Sequence, residues 1–558
     1  MEFGKLTGTP QLHVQAMSRL FFISSLIAPP NPVVHYVQKI FHKDPFSGIY
    51  QPNAFDMSIL IPYFTVLIII SIYGIHRYFL TWTYLRNRKH APQPPAQFEK
   101  LPRVTIQLPI YNERYVVERL LEAVTRIDYP RELLEIQLLD DSTDETTIVA
   151  SRMVSQYARD GYPVSFLHRN NREGFKAGAL EAGLRVAAGE FVAIFDADFV
   201  PRPDVIRRML PYFTDPKVGV VQGRWTWLNR EYSMLTEVEA IVLDGHFVIE
   251  HGGRNFSGRF FNFNGTAGMW RRSAIDDAGG WEHDTLTEDT DLSYRAQLKG
   301  WKFVYDPTIE CPSELPVEVN AFKSQQARWA KGLTQTARKI LPAVWRSDQS
   351  LKIKLEATFH LTANCAYPLM VVFSLILLPA MIVRFYQGWF QMLYLDLPLF
   401  LASTCSVSSF YMVAQRQLYP KTWTERVKYM PFLMATGIGL SVMNAKVVLE
   451  ALFGMKSEFV RTPKYRVERR EDAWERKKYS RKSGWVPYVE LGLASYFLFT
   501  TVYSFTVEDY LTTPFLMLFL GGYLYMGSLS LLQTPMRRLW NSAFATAPRR
   551  ASRLSAET

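Results

Sequence analysis

The sequence predicts an α/β domain of alternating strands and helices joined to a region of membrane-spanning helices. Strand-like and helix-like segments alternate after residue 101, in the order βαβαβ, which is typical of a mostly parallel sheet. Long apolar runs lie at 58–80 and beyond 358, and their length suits a lipid bilayer. At 558 residues the chain exceeds a single ordinary core, so it has room for both parts.

The N-terminal part of the chain predicts one membrane span and a cytosolic domain after it. In residues 1–57 a short apolar run ends at two prolines with no basic region before it, so we expect an interfacial segment and no signal peptide. Residues 58–82 carry the roughly 20 apolar residues that a crossing needs. A basic, proline-rich stretch follows and predicts a cytoplasmic flank, with the α/β domain at 98–345 in the cytoplasm.

The C-terminal part of the chain contains five further apolar runs, at about 359–383, 394–414, 430–453, 486–505 and 512–532. If the first three all crossed, the basic stretch 456–482 would lie outside, against the preference for basic loops in the cytoplasm. We therefore expect about five spans in all, with SVMNAKVVLEALFG as an interfacial helix. The expected regions are membrane and interface helices at 346–455, a cytosolic segment at 456–484, two spans at 485–533 and a cytosolic tail at 534–558.

Charge placement and cysteine spacing exclude two classes of site. The formal net charge is +11, but the basic residues are concentrated at the borders of the apolar runs, where they face anionic lipid heads. We therefore predict no nucleic-acid partner. The three cysteines, Cys311, Cys365 and Cys405, have no metal-ligand spacing, so neither a disulfide framework nor a zinc site is expected.

Two aspartates, Asp196 and Asp198, end the apolar segment FVAIFDAD. Strand alternation points both side chains to one face, at the carboxyl edge where such sheets bind ligands. Carboxylates this close repel each other unless a cation neutralises them, and hard oxygen ligands suit Mg²⁺ or Mn²⁺. We predict a divalent metal that bridges a diphosphate here, the alternative being a solvated turn.

A second acidic group, Glu288, Asp289 and Asp291 in LTEDTDLSYRAQLKG, stands at a predicted helix start. Helix capping explains these residues equally well, since threonine and acidic residues are favoured in first turns. A transfer to a hydroxyl group, however, needs a carboxylate that takes the proton. Asp289 is our candidate for that base.

Other polar residues follow two further strands of the predicted sheet. Tyr111 and Glu113 come after VTIQLPI, and Asp140 and Asp141 come after LEIQLL. We predict that they bind a nucleoside through its ribose and base, although turn formation explains the aspartates as well. Lys176 in NREGFKAGAL supplies a cation that we assign to the same nucleotide.

The segment KSQQARWAKG contains Gln325, Arg328 and Trp329 and precedes a basic amphipathic stretch. A planar guanidinium beside an indole fits a site that meets phosphate on one side and a sugar ring on the other. The same pair also suits a membrane-interface anchor. The segment alone does not decide between these two hypotheses.

Taken in order, DDSTD, DAD, TED and QQARW resemble the motifs of the processive family-2 glycosyltransferases, of which cellulose synthase is the type. The sequences FNGTAGMWR and TEDTDLSYRAQLKGW are most similar to the cellulose-synthase-like mannan and glucan synthase branch and its bacterial relatives. The likeness covers roughly residues 100–465. It implies a GT-A fold, which is Rossmann-like, and an inverting single displacement.

The resemblance also implies a role for each motif. Asp196 and Asp198 would hold the metal and the donor diphosphate, and Asp289 would deprotonate the acceptor. The remaining expected contacts are Asp140 or Asp141 with Glu113 to the nucleoside, Arg328 to the diphosphate, Trp329 to the terminal acceptor sugar, Asn264, Gly265 and Thr266 at the acceptor end, and Thr462 and Lys464 in a gating loop, FVRTPK.

We therefore expect a membrane hexosyltransferase that polymerises a β-linked glucan or mannan from UDP-glucose or GDP-mannose and exports the chain through its own helices. A non-processive, ceramide-type glycolipid glucosyltransferase is the alternative. Expected partners are the nucleotide sugar, a growing glycan or lipid acceptor, the bilayer and accessory export proteins. The expected location is a bacterial inner membrane or a eukaryotic Golgi or plasma membrane. Only about 25 residues follow the last apolar run, so no C-terminal cyclic-dinucleotide sensor is expected.

Overall fold

The computed structural model describes residues 53–386, 398–399, 401–455, 461–474, 477–479 and 484–544. The expected interfacial segment up to residue 52 and the end of the expected tail lie outside the described residues. The chain divides into two units. The smaller contains residues 53–64, 376–386 and 398–399, and the larger contains the α/β domain and the other described helices.

A seven-stranded sheet forms the centre of the larger unit, in the order β3-β2-β1-β4-β6-β5-β7. The strands are β1 (Val104–Ile110), β2 (Leu134–Asp140), β3 (Val164–His168), β4 (Phe191–Ile194), β5 (Val218–Trp227), β6 (Gly268–Arg271) and β7 (Lys302–Ser313). Strand β1 pairs in parallel with β2 and β4, β2 with β3, and β5 with β7, whereas β6 runs antiparallel to β4 and β5. The predicted βαβαβ order is confirmed.

The helices are numbered in chain order. They are α1 (Ala54–Asn87), α2 (Val117–Thr125), α3 (Thr146–Arg159), α4 (Phe175–Val186), α5 (Val205–Met209), α6 (Met234–Gly245), α7 (Gly252–Phe256), α8 (Arg272–Asp277), α9 (Glu288–Leu298), α10 (Val319–Arg346), α11 (Leu351–Thr362), α12 (Ala366–Tyr386), α13 (Ser406–Leu418), α14 (Met430–Gly439), α15 (Ser441–Leu452), α16 (Val486–Thr506) and α17 (Thr513–Phe544). A π-helical turn, His246–His251, joins α6 to α7.

The central strands of the sheet are buried on both faces, so that even their polar side chains, such as Gln107 and Gln137, are fully buried. On one face, Ile106 and Ala193 pack with Leu120 and other residues of α2. On the other face, Ile194 packs with residues of α4 and α9, including Leu292. The two cores hold the carboxyl ends of β1, β2 and β4 in fixed positions.

Three helical stretches are long and apolar enough to cross a membrane: Ala54–His90, Leu351–Arg384 and Thr513–Gln533. A fourth candidate, among the residues that were described, is the pair Trp423–Gly439 and Ser441–Leu452, which is bent by 42° as in a broken span or a re-entrant loop. The predicted membrane region is therefore confirmed. The count of about five spans and the orientation stay predictions.

The first helix begins at Ala54, four residues before the predicted span. The predicted span was based on apolar residues only, whereas hydrogen bonds between polar residues determine where the helix begins. The Asp56 backbone N–H donates to Oδ1 of Asn53 at 2.9 Å, and the Asn53 N–H donates to Oδ2 of Asp56 at 3.4 Å. This reciprocal pair satisfies donors at the helix start.

Candidate active site

One cavity opens at the carboxyl edge of the sheet and brings together residues from all four motifs. The predicted residues that line it are Tyr111, Glu113, Asp141, Lys176, Asp196, Asp198, Asn264, Gly265, Glu288, Asp289, Gln325, Arg328, Trp329, Thr462 and Lys464. Further lining residues that we did not assign from the sequence include Arg172, Trp225, Trp227, Glu239 and Glu314. Asp140 and Thr266 are predicted residues outside this lining.

Asp196 is held by the ends of two neighbouring strands. Its backbone N–H donates to Oγ1 of Thr266 at 2.8 Å, and its Oδ1 accepts from Nζ of Lys176 at 2.5 Å. Lys176 also donates to the carbonyl oxygen of Gly265 at 3.0 Å. The Thr266 hydroxyl therefore helps to position Asp196, because it accepts a hydrogen bond from the Asp196 backbone.

Asp198 pairs with a cation from a distant part of the chain. Its Oδ2 lies 2.8 Å from Nζ of Lys464. Burial raises the pKa of Asp196, and the Lys176 ammonium opposes that shift. Each aspartate of the pair is thus neutralised by its own lysine, as two buried carboxylates this close require.

Asp289 uses its two carboxylate oxygens differently. Oδ1 accepts from the backbone N–H of Thr290 at 2.7 Å in the first turn of α9, whereas Oδ2 is the oxygen nearest to Gly265. Burial, and then the neighbouring charge of Glu288, raise the pKa of Asp289 to about 7. The local bond to helix α9 and a proton-accepting role are therefore compatible, because each involves a different oxygen.

Arg328 faces the acidic centre from helix α10. Burial lowers the pKa of its guanidinium, and the charges of Glu288, Asp196 and Asp289 oppose that shift. In Lys176, burial disfavours the charged ammonium, but Asp196 and Glu288 outweigh it and raise the pKa. The centre therefore keeps two cations among its carboxylates, which is the arrangement that binds a phosphate group.

The end of the cavity next to β1 combines an aromatic ring with charged groups. The guanidinium of Arg172 lies 3.4 Å from the ring centroid of Tyr111. Glu113 Oε2 lies 3.2 Å from the guanidinium of Arg461, and burial raises the pKa of Glu113 to about 8. Stacking surfaces with nearby polar groups suit a nucleoside.

The two aspartates after β2 have different surroundings. Asp141 lines the cavity and accepts from Nε and Nη2 of Arg169, at 2.7 and 2.5 Å. Asp140 is fully buried, and its oxygens accept from the Ser142 N–H at 2.9 Å and the Thr147 hydroxyl at 2.8 Å. The Asp140 carboxylate thus stabilises the turn, whereas Asp141 lines the cavity, and a contact of either residue with a nucleoside stays a prediction.

Part of the cavity lining is aromatic. Trp227 and Trp329 pack against Leu243 and Leu315, and Trp225 also lines the wall. Sugar rings present an apolar face that suits such a surface. The sequence identified Trp329, but it gave no signal for the tryptophans of β5, which look like ordinary strand residues.

The described residues of the segment 461–479 contact the α/β domain through several ion pairs. Besides Arg461 and Lys464, Arg466 lies 2.9 Å from Glu118 and Lys478 lies 2.8 Å from Glu145. The expected gating loop begins at Phe459, and its first two residues lie outside the described residues. Its remaining part lines the cavity, and its motion stays a prediction.

The family model for "Glycosyltransferase like family 2" matches residues 102–332, the segment that contains the sheet and all four motifs. The chain carries a glycosyltransferase family 2 domain. The predicted GT-A fold is thereby confirmed, and its sheet combines parallel strands with the antiparallel β6.

The glycosyltransferase domain has curated relatives in plants. Glucomannan 4-beta-mannosyltransferase 7 of Arabidopsis thaliana is 40% identical over 291 residues, which are 50% of this chain and 52% of the relative. Glucomannan 4-beta-mannosyltransferase 1 of Oryza sativa subsp. japonica is 40% identical over 276 residues, 49% of this chain and 52% of the relative. The chain thus spans about half the length of the curated relatives it matches.

A solved structure with some similarity is the mannosyltransferase PcManGT from Pyrobaculum calidifontis, in complex with GDP-Man and Mn²⁺. It is 23% identical, with a TM-score of 0.43, and the match covers 64% of this chain and 99% of that one.

Proposed function

We propose that this chain is a membrane-bound, inverting hexosyltransferase that builds a β-linked glycan of the glucan or mannan type from UDP-glucose or GDP-mannose. The proposal rests on the cavity, in which Asp196 and Asp198 of one segment meet Asp289 of a second and Arg328 of a third. The plant relatives are named as β-mannosyltransferases, which supports GDP-mannose as the first donor to test.

The residues of the chain divide the reaction between them. The nucleoside fits between Tyr111 and Glu113, and the diphosphate reaches the cations of Lys176 and Arg328. Their positive charge stabilises the negative charge that develops on the leaving nucleoside diphosphate. Trp329 supports the acceptor sugar, and Asp289 takes the proton from the attacking hydroxyl group. The new bond forms as the bond to the diphosphate breaks, so the anomeric carbon inverts.

The residues at the centre fit a divalent metal ion. Asp196 and Asp198 offer hard carboxylate oxygens to the cavity, and each pairs with an ammonium group in the structure, so the site favours positive charge. When bound there, Mg²⁺ or Mn²⁺ would supply further positive charge against the diphosphate. The two lysines, Lys176 and Lys464, would then be free to contact phosphate oxygens.

Ion pairs between α10 and two helices that follow the α/β domain support the proposal that the product is delivered to the bilayer. Helix α10 carries Gln325, Arg328 and Trp329 in its first half. The same helix is joined by Lys323 to Glu490 of α16 at 2.6 Å, and by Lys331 to Glu450 of α15 at 2.7 Å. The Lys323–Glu490 pair is buried on both sides, so removing either partner would strongly destabilise the fold. Helix α10 thus links the wall of the cavity to α15 and α16, which supports the proposal that the growing chain is passed toward the membrane.

Product analysis tests this proposal. The full chain, purified in detergent, is incubated with each labelled nucleotide sugar and with Mg²⁺ or Mn²⁺. We expect a long, labelled product that β-mannanase or β-glucanase digests. A lipid carrying a single sugar would instead support the glycolipid alternative, and nucleotide release without any glycosylated product would contradict both.

A further inference from the structure

Glu239 is a buried acidic residue inside the cavity that the four motifs do not include. It lies on helix α6 and is 1% exposed. Neither of its carboxyl oxygens has a hydrogen-bond partner among the residues described, yet the side chain lines the cavity. A buried carboxyl group without partners is strongly unfavourable, so the cavity wall carries a polar group that needs donors from a ligand.

The other acidic residues of α6 show that this is not a general property of the helix. Glu237 accepts from Nε of Arg230 at 3.0 Å, and Asp244 accepts from Nη1 of the same arginine at 2.8 Å. Both are therefore satisfied within the protein. Glu239 alone of these three has no hydrogen bond among the described residues.

The neighbours of Glu239 identify the part of the ligand that it would meet. Leu243 lies one helical turn further along α6, on the same face, and packs with Trp227 and Trp329. Glu239 is also close enough to Lys464 and Asp198, which pair with each other at the reaction centre, for their charges to act on it. Glu239 is thus placed between the tryptophan wall and the reaction centre, where the terminal acceptor sugar would lie.

The chemistry of a sugar ring matches this position. A hexose presents an apolar face to an indole ring and hydroxyl donors around its edge. A carboxylate accepts from two adjacent hydroxyls at once, and within the described part of the chain Glu239 has no competing hydrogen bond. Nucleobase and phosphate are less suitable, because the nucleoside end is formed by Tyr111 and Glu113, and phosphate offers acceptors to a carboxylate.

We propose that Glu239 binds the terminal acceptor sugar by accepting hydrogen bonds from its hydroxyl groups. The inference rests on the proposed function, since it names the acceptor as a β-linked oligosaccharide. It assigns Glu239 a binding and orienting role and leaves the proton transfer to Asp289.

The test is a binding measurement that does not require turnover. The full chain in detergent is titrated with β-1,4-mannotetraose and with cellotetraose, and intrinsic tryptophan fluorescence is followed. E239A is expected to weaken binding of the preferred oligosaccharide by about tenfold or more, the range for an unmade hydrogen bond to a buried group. E239Q keeps one acceptor oxygen and should lose less.

E237Q is the matched control, since Glu237 stands on the same helix and pairs with Arg230 away from the cavity. It should leave oligosaccharide binding within about twofold of the unchanged chain. Binding of the nucleotide sugar with Mn²⁺ should also be unchanged in E239A. A thermal unfolding curve for each variant shows that the chain remains folded.

Three results would overturn the inference: an E239A variant that binds the oligosaccharide normally, a parallel loss of Mn²⁺-dependent donor binding, which would make Glu239 a metal ligand, or an unchanged chain that binds neither oligosaccharide. A failure of the proposed function can be distinguished from a failure of the role proposed for Glu239. If the unchanged chain binds the oligosaccharide but transfers no sugar, transfer is refuted while the effect of E239A still decides the role of Glu239.

Discussion

Gly265 leaves the space that the Asp289 carboxylate uses. A Cβ atom at position 265 would lie 2.9 Å from Oδ2 of Asp289, and the glycine has a φ of +76°. We predict that Gly265→Ala displaces the proposed base and lowers the transfer rate about a hundredfold, as small misplacements at reacting groups do. The initial rate of labelled product formation measures this.

Gly258 provides a matched control for this substitution. It has a similar φ, +67°, but a Cβ atom there would meet nothing within 4 Å. Both alanine variants should lower the free energy of unfolding by roughly 1–2 kcal/mol through backbone strain. Only Gly265→Ala should lose activity, so equal activity in the two variants would contradict the assigned position of Asp289.

Asp289→Asn should stop transfer while the donor still binds. The amide keeps the size of the side chain but accepts no proton, so the rate should fall by a factor of about 10²–10⁴. Asp284→Asn, which removes an exposed carboxylate outside the cavity lining, is the control. Transfer rates and nucleotide-sugar affinity are measured for both, and a rate in Asp289→Asn close to the unchanged enzyme would exclude this residue as the base.

The pH dependence of transfer should report the acidic pair Glu288 and Asp289. Burial and the charge of Glu288 raise the pKa of Asp289 to about 7, and a base must be deprotonated to act. The transfer rate should therefore increase as the pH is raised through about 7, and it should decrease as the pH is lowered below that value. Glu288→Gln removes the charge that raises this pKa, so the rising limb should move to lower pH. A rising limb at the same pH in Glu288→Gln would show that a group other than Asp289 controls the rate.

Asp198→Ala should separate metal-dependent from metal-independent donor binding. Removing one of the two carboxylates leaves Lys464 without its partner at 2.8 Å and takes away an expected metal ligand. We expect donor affinity to fall at least tenfold in the presence of Mn²⁺ and to become insensitive to the ion. Calorimetric titration with GDP-mannose, with and without Mn²⁺, checks this. Continued stimulation by Mn²⁺ would place the metal elsewhere.

Much of the catalytic centre is predictable because strand ends are predictable. Apolar runs that stop at carboxylates, as in FVAIFDAD, locate the ligand edge of a parallel sheet from local pattern alone. Asp196 and Asp198 required only this argument. The local sequence leaves the role of Asp289 ambiguous, because one carboxylate oxygen accepts from the Thr290 backbone N–H as a helix-capping residue would. Only the folded chain shows that the second oxygen lies next to Gly265 in the cavity.

The residues that sequence reasoning missed or misplaced depend on long-range contacts. Thr266 looks like an acceptor contact, but its hydroxyl receives the Asp196 N–H across neighbouring strands. Glu239 sits in a helix of ordinary composition, and only its missing hydrogen bonds set it apart. Such assignments depend on which groups are satisfied in the folded chain, and no spacing rule contains that information.

The anomeric configuration of the product is the sharpest test of inverting transfer with Asp289 as the base. The cavity offers Asp289 as a base toward the acceptor, and a single displacement on an α-linked GDP-mannose or UDP-glucose must invert the anomeric carbon. Proton NMR of the purified product should therefore show newly formed β-linkages, and Asp289→Asn should form none. A product with α-linkages from either donor would exclude inverting transfer by a single displacement.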